Sequence, residues 1–115
     1  MADVDLTVAR IDRDGLTPQY TAIDATDVYF APRKEGRLIL HFKNTGAQAT
    51  ITFDITQTTD GVAHTDPTVT VPATTGDVMV GGLGAVYEIE GGADSGKVKF
   101  TNNIATGVTV AALEV

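Results

Sequence analysis

Apolar and polar residues alternate with period two along most of this chain. Arg37-Leu38-Ile39-Leu40-His41-Phe42-Lys43, Thr50-Ile51-Thr52-Phe53-Asp54-Ile55-Thr56, Thr68-Val69-Thr70-Val71 and Lys97-Val98-Lys99-Phe100-Thr101 each turn one face to a core and one to water. No helical period lasts more than a turn. The alternation predicts strands over residues 4–9, 19–23, 27–31, 37–43, 49–57, 68–72, 77–81, 86–90, 97–102 and 107–114. Turn signals such as Asp14-Gly15, Pro32, Asn44-Thr45-Gly46, Asp60-Gly61, Asp66-Pro67 and Gly91-Gly92 separate them. Many short strands at this spacing predict an all-β chain, a single-domain antiparallel β-sandwich, jelly-roll-like or Ig-like, of about eight strands.

The same alternation names a core. The inward set is Val4, Leu6, Val8, Leu38, Leu40, Phe42, Ile51, Phe53, Ile55, Val69, Val71, Val78, Val80, Val98, Phe100, Val108 and Val110. The last strand changes phase, because Leu113 and Val115 fall on the opposite face from Val108 and Val110. A bulge near Ala111-Ala112, or a C-terminus packed on a neighbour, would account for it. A chain of 115 residues is expected to form one domain over 1–115 and to bury roughly 65% of its unfolded surface, enough for a core without staples.

Composition narrows the chemistry. There is no Cys and the net charge is −7. Residues 1–43 carry seven acids against six bases, a net of −1, whereas residues 44–115 carry eight against two, a net of −6. That sign repels phosphate backbones and argues against nucleic acid as a partner. The opening Met1-Ala2-Asp3-Val4-Asp5 is acidic and unlike a secretory leader. No run approaches the roughly 20 apolar residues of a membrane span, so no membrane partner is expected.

Reactive groups are few. Asp12-Arg13-Asp14-Gly15 opens like a calcium loop but lacks the closing acid, and a plain turn is the better reading. His41, on the polar face of a strand, and His64, in a loop, read as solvated surface groups. Gly81-Gly82-Leu83-Gly84 runs into a strand-like stretch rather than a helix or a lysine, which argues against a phosphate cradle. Glu88 and Glu90 lie two apart on that stretch and would need a cleft to act as acid and base. No catalysis, no cofactor and no metal site is expected.

The order of segments is more specific than any one motif. A strand ends at Pro32, and Gly36-Arg37-Leu38-Ile39-Leu40-His41-Phe42-Lys43-Asn44-Thr45-Gly46 leads into a Thr-rich strand. Val69-Thr70-Val71-Pro72-Ala73, a glycine turn, Tyr87, Ser95-Gly96-Lys97-Val98-Lys99-Phe100-Thr101 and Gly107-Val108-Thr109-Val110-Ala111-Ala112-Leu113 follow. This succession, over residues 4–113, resembles the head decoration (cement, capsid-stabilising) proteins of tailed bacteriophages. Where that family keeps an aromatic-proline segment after the glycine turn, this chain has Gly82-Leu83-Gly84-Ala85. The resemblance implies a non-enzymatic β protein, made in the bacterial cytoplasm, that binds the outside of an icosahedral shell. Its implied partner is the major capsid protein, and it allows self-association as a trimer on the shell.

Resemblance and charge asymmetry together single out the N-terminal part for contact. Residues 1–6 are expected to form an arm in which Ala2, Asp3, Val4, Asp5 and Leu6 add to a neighbour's sheet edge. Arg10, Arg13, Arg33 and Lys34 are the expected charged contacts, each with a competing reading as a solvated turn residue. Two other classes stay open. One is another virion role, in a tail tube, head completion or fibre; the other is a carbohydrate-binding, adhesin-like module, poorly supplied here with no Trp and three Tyr.

Overall fold

The computed structural model describes residues 3–115. The described chain is all-β. Its strands are β1 (Asp3–Asp5), β2 (Ala9–Arg10), β3 (Thr21–Ile23), β4 (Val28–Pro32), β5 (Leu38–Asn44), β6 (Ala49–Asp54), β7 (Thr58–Thr59), β8 (Val62–Ala63), β9 (Thr68–Val71), β10 (Gly76–Val80), β11 (Lys97–Asn102) and β12 (Val108–Glu114). Single 3-10 turns stand at Lys34–Gly36 and Ala85–Tyr87.

Two large sheets form. The first runs β1-β4-β11-β6-β9; the second runs β10-β5-β12, and β7 with β8 makes a separate hairpin. The far side of β12 is shared: β3 lies against Val108–Val110, and β2 against Leu113 and Glu114. Most pairings are antiparallel, as expected, but β1 beside β4 and β2 beside β12 are parallel. The sheets are therefore mixed. The stretch expected as one strand over 4–9 instead divides, β1 in one sheet and β2 in the other, so it closes one side of the molecule by crossing between layers.

Side chains from both sheets fill one core. Tyr29, Ala31, Ile51, Phe53, Val71, Val98 and Phe100 come from the first sheet, and Ile23, Leu40, Phe42, Val108, Val110 and Ala112 from the second. Phe100 is its aromatic hub, with ring centroids 5.7 Å from Tyr29, 5.6 Å from Phe42 and 5.8 Å from Phe53. Such offset and edge-on arrangements are the favoured ones for aromatic pairs. Most of the expected inward set is in this cluster or packed against it, Ile55 being outside because β6 stops at Asp54.

The corner between β5, β9 and β10 depends on a buried amide. Asn44 Nδ2 donates to the Ala47 carbonyl at 2.5 Å and the Pro72 carbonyl at 3.2 Å, while its Oδ1 accepts from the Gly46 amide at 2.9 Å. Beside it Gly107, at φ +103°, lies so close to Gly46 that a Cβ would stand 2.7 Å from the Gly46 nitrogen. Only glycine satisfies both the positive φ and the close approach.

Two expectations need correction, and one element had no strand signal. Residues 86–90 are not a strand: Ala85–Tyr87 is a 3-10 turn, and Glu88 makes a lone bridge to Val98. β12 has no bulge, since it pairs with β5 without interruption from Val108↔Asn44 to Glu114↔Leu38. Ala111 and Leu113 are therefore on the outer face of the second sheet, buried at 1% and 5% exposure yet outside the core cluster. The hairpin β7–β8, turning at Asp60-Gly61, was marked in sequence only by its turn.

Candidate functional site

The expected contact residues do not converge on one site. Ala2 lies outside the described residues. Asp3–Asp5 is not a free arm but pairs with β4 of its own chain, and the Leu6 amide continues the ladder by donating to the Phe30 carbonyl at 2.8 Å. Leu6 enters the core, because the pleat that puts Asp3 and Asp5 outside puts Val4 and Leu6 inside. Asp5 is further tied by Lys97, whose Nζ is 2.8 Å from its Oδ1 and 3.3 Å from that of Asp94. These two hydrogen bonds hold the Lys97 ammonium above the ordinary lysine range.

Arg33 is engaged inside the molecule. Its Nε lies 2.8 Å from Glu88 Oε1, and one terminal nitrogen donates to the Leu83 carbonyl at 3.1 Å. Gln57 Nε2 donates to the carbonyls of Ala85 at 2.8 Å and Glu88 at 2.7 Å. Together these two side chains staple the glycine-rich loop to the sheets, which is why its strand-like pattern does not become a strand. Lys34 is exposed at the tip of the neighbouring turn, where it and Glu35 adopt positive φ. Arg10 ends β2, opposite Glu114 of β12, and Arg13 stands in the turn beyond; both are exposed. Asp12 Oδ1 in that turn accepts from the Asp14 amide at 3.0 Å, the geometry of a plain Asx turn.

The most elaborate polar cluster lies across the outer face of the second sheet. His41 is not solvated: it is 7% exposed, with Nδ1 2.7 Å from the Tyr20 hydroxyl and Nε2 against Asp77 Oδ1. Asp77 can only accept, so Nε2–H donates to it; in the neutral imidazole Nδ1 then accepts from the Tyr20 O–H. Donation from His41 is the main reason the Asp77 carboxyl is held below the usual carboxylate range. Lys43 Nζ sits 4.9 Å from the Tyr20 ring centroid. Ala111 stands opposite His41 in the β5–β12 register, between it and the Tyr20 strand, and is covered where Tyr20 reaches across. No sequence signal links Tyr20, His41 and Asp77, since each reads singly as a surface residue.

The other feature is a small open cleft of about 180 Å³ where the chain crosses from β1 to β2, lined by the apolar Val4, Leu6, Val110 and Ala112 together with Asp5, Thr7, Gln19 and Thr21. Asp5 is the one charged group in its wall, and its carboxylate is engaged by Lys97. Among the described residues no three of His, Asp and Glu stand together as metal ligands. No helix among them is long and apolar enough to cross a membrane. Set beside known protein families, curated proteins and solved structures, the chain matches none of them.

Proposed function

We propose that this chain is a structural decoration protein of a tailed-phage virion, binding the outer surface of the capsid and stabilising the mature shell. The supporting observation is the order of segments that resembles that family. Its quoted pieces from Gly36 to Leu113 fall on the strands β5, β6, β9, β11 and β12, with Tyr87 in a 3-10 turn. A protein that binds only the expanded lattice stabilises it by mass action, about 2.7 kcal/mol per site when free protein is at roughly 100 times its Kd. Repeated over a shell, weak contacts toughen it.

The sugar-binding alternative is disfavoured by the aromatics. Tyr29 and all four Phe are buried, and Tyr20 and Tyr87 are half-covered, so no aromatic platform faces solvent among the described residues. The test is fractionation of purified particles with gel densitometry. The decoration reading expects the chain on heads, in copy number comparable to the major capsid protein. A few copies per particle would assign it to head completion, recovery with tails would assign a tail role, and absence from particles would end every virion reading.

A further inference from the structure

Residues 3–10 are one segment with two seats. Asp3–Asp5 lies beside β4 of the first sheet and Ala9–Arg10 beside β12 of the second, and among the described strands these are the two parallel pairings. Both seats are at sheet edges. Between them Leu6 enters the core, with Val4 and Val8 packed against the same cluster. Backbone bonds extend both ladders, the Leu6 amide donating to the Phe30 carbonyl and the Ile11 amide to the Glu114 carbonyl, each at 2.8 Å. On the outside, Lys97 Nζ holds Asp5 Oδ1 at 2.8 Å. These partners come from β4, β11 and β12, far along the chain from the segment itself.

The seating is incomplete at the crossing. The cleft of about 180 Å³ opens between segment and body, with Leu6 and Thr7 on one wall and Thr21, Val110 and Ala112 on the other. Ladders of three and two residues are short anchors, and parallel pairing is slightly less stable per residue than antiparallel. Residues 11–20, which join the segment to β3, form no strand, and Ile11–Gly15, Thr17 and Gln19 are exposed. Their turn is local, the Asp14 amide donating to Asp12 Oδ1 and the Gly15 amide to the Asp12 carbonyl. Ten extended residues reach roughly 33–36 Å, as far as the 34 Å middle dimension of the molecule.

We infer that residues 3–10 exchange between two copies of this chain: the segment leaves its own edges and fills the same two seats on a second molecule, which returns its own. The occupant is selected by a fit already made. A second copy offers the same Phe30 carbonyl, the same Lys97 and the same core hollow for Leu6, so closed and exchanged forms share these contacts. The two forms differ in the path of residues 11–20 and in the entropy of association, which is why strand exchange is a low-cost route to a dimer. A strand from a different protein would have to supply its own leucine between two edge ladders and its own acid for Lys97. Protein concentration then governs the assembly. Exchange needs no shell, so it stands apart from the decoration reading.

The chain has no Cys, so single cysteines report on the seat. Asp3 stands opposite Val28 in the β1–β4 register, where neighbouring strands come within disulfide reach. Asp3→Cys and Val28→Cys are made separately, checked for folding by circular dichroism, and incubated together at high concentration before dilution and oxidation. Exchange is expected to give a covalent heterodimer whose disulfide joins positions 3 and 28, at least tenfold more abundant than when the two are oxidised at once on mixing. Peptide mass spectrometry reads the link. The double variant Asp3→Cys/Val28→Cys, oxidised while dilute, locks the segment on its own chain. It is expected to stay monomeric by light scattering at concentrations where the intact protein and the reduced double variant form dimers. If Val28→Cys fails to fold, Arg10→Cys with Glu114→Cys repeats the test on the other seat. Absence of the cross-chain link in a folded mixture, or an intact protein that stays monomeric throughout, would overturn the inference. So would a locked variant that dimerises as the intact protein does, since the dimer would then belong to another surface.

Discussion

Tyr20 and His41 are joined by a hydrogen bond of 2.7 Å although each belongs to a different strand region of the second sheet, with β12 between them. The bond lets a residue just ahead of the edge strand β3 clasp a central strand over the top of Ala111. It also continues to Asp77 on β10, so one chain of hydrogen bonds runs across the width of the sheet. Lateral bonds of this kind resist shearing of strands that the backbone ladder alone joins pairwise.

Tyr20→Phe should therefore destabilise the protein by about 1 kcal/mol, because the His41 Nδ1 loses its donor where little water reaches it. Calorimetric melting would show a drop of several degrees. An unchanged melting temperature would mean that the hydroxyl contributes nothing.

The Asp77 carboxyl titrates below its ordinary value of 3.8 in the fold, chiefly through the His41 hydrogen bond, and Asp24 does so chiefly through the Thr26 amide. Groups depressed in the folded state give stability that is present above the unfolded value and lost as pH falls through the folded one. Urea midpoints should thus fall on acidification below about pH 4, and less steeply in Asp77→Asn. At the other end, Lys97 is raised above 10.5 by Asp5 and Asp94, and burial raises Tyr29 above 10.0. Both contributions are complete below those values and are lost as pH rises through the folded ones. A midpoint that rose on acidification from pH 5 to pH 3 would contradict the assignment.

The long strands were legible in sequence because alternation, which depends only on the pleat, persists over Leu38–Asn44, Ala49–Asp54 and Lys97–Asn102. The split of residues 4–9 was not. Two- and three-residue strands are decided by which sheet edge is vacant, a tertiary fact that neither Val4 nor Ala9 encodes. His41 was misread because an outward polar residue looks solvated until a distant Tyr20 and Asp77 cover it. Val86 and Ile89 imitate a strand, but Arg33 and Gln57 hold their backbone elsewhere. The phase change at Leu113 was visible from the start, and it marks a face rather than a bulge.

Arg33→Ala should release the Leu83–Glu88 segment at a cost of about 2 kcal/mol, since it removes a charged donor from two half-covered acceptors. Hydrogen exchange should quicken at residues 83–88 more than in β11. Arg33→Lys should restore only part of the protection, because an ammonium lacks the fork that reaches Glu88 and Leu83 together. Unchanged exchange in the loop would show that Gln57 suffices alone.

Adding calcium, or dialysing against a chelator, should leave the melting temperature unchanged. The Asp12 carboxylate is already used by the Asp14 amide, and the turn brings no third acid to it. A loss of several degrees on chelation, restored by calcium, would reveal a site that this turn completes on binding.

Phe100 and Phe30 offer a contrast between the two sides of one sheet. Both are buried, but Phe100 touches three other rings at the centre of the core, whereas Phe30 lies outside the core cluster, on the outer face of the first sheet. Phe100→Ala leaves a cavity that neither water nor neighbouring strands can fill, and should cost about 3–5 kcal/mol, a large share of the roughly 5–15 kcal/mol that holds a domain together. Phe30→Ala opens a hollow that solvent and the stems of Lys97 and Lys99 can occupy, so it should cost no more than about half as much. Phe53→Asp, which buries an unpaired charge beside Phe100, should unfold the chain outright. Denaturant melts of the three variants decide the ranking, and a Phe30→Ala cost equal to that of Phe100→Ala would mean that the first sheet's outer face is as closed to water as the core.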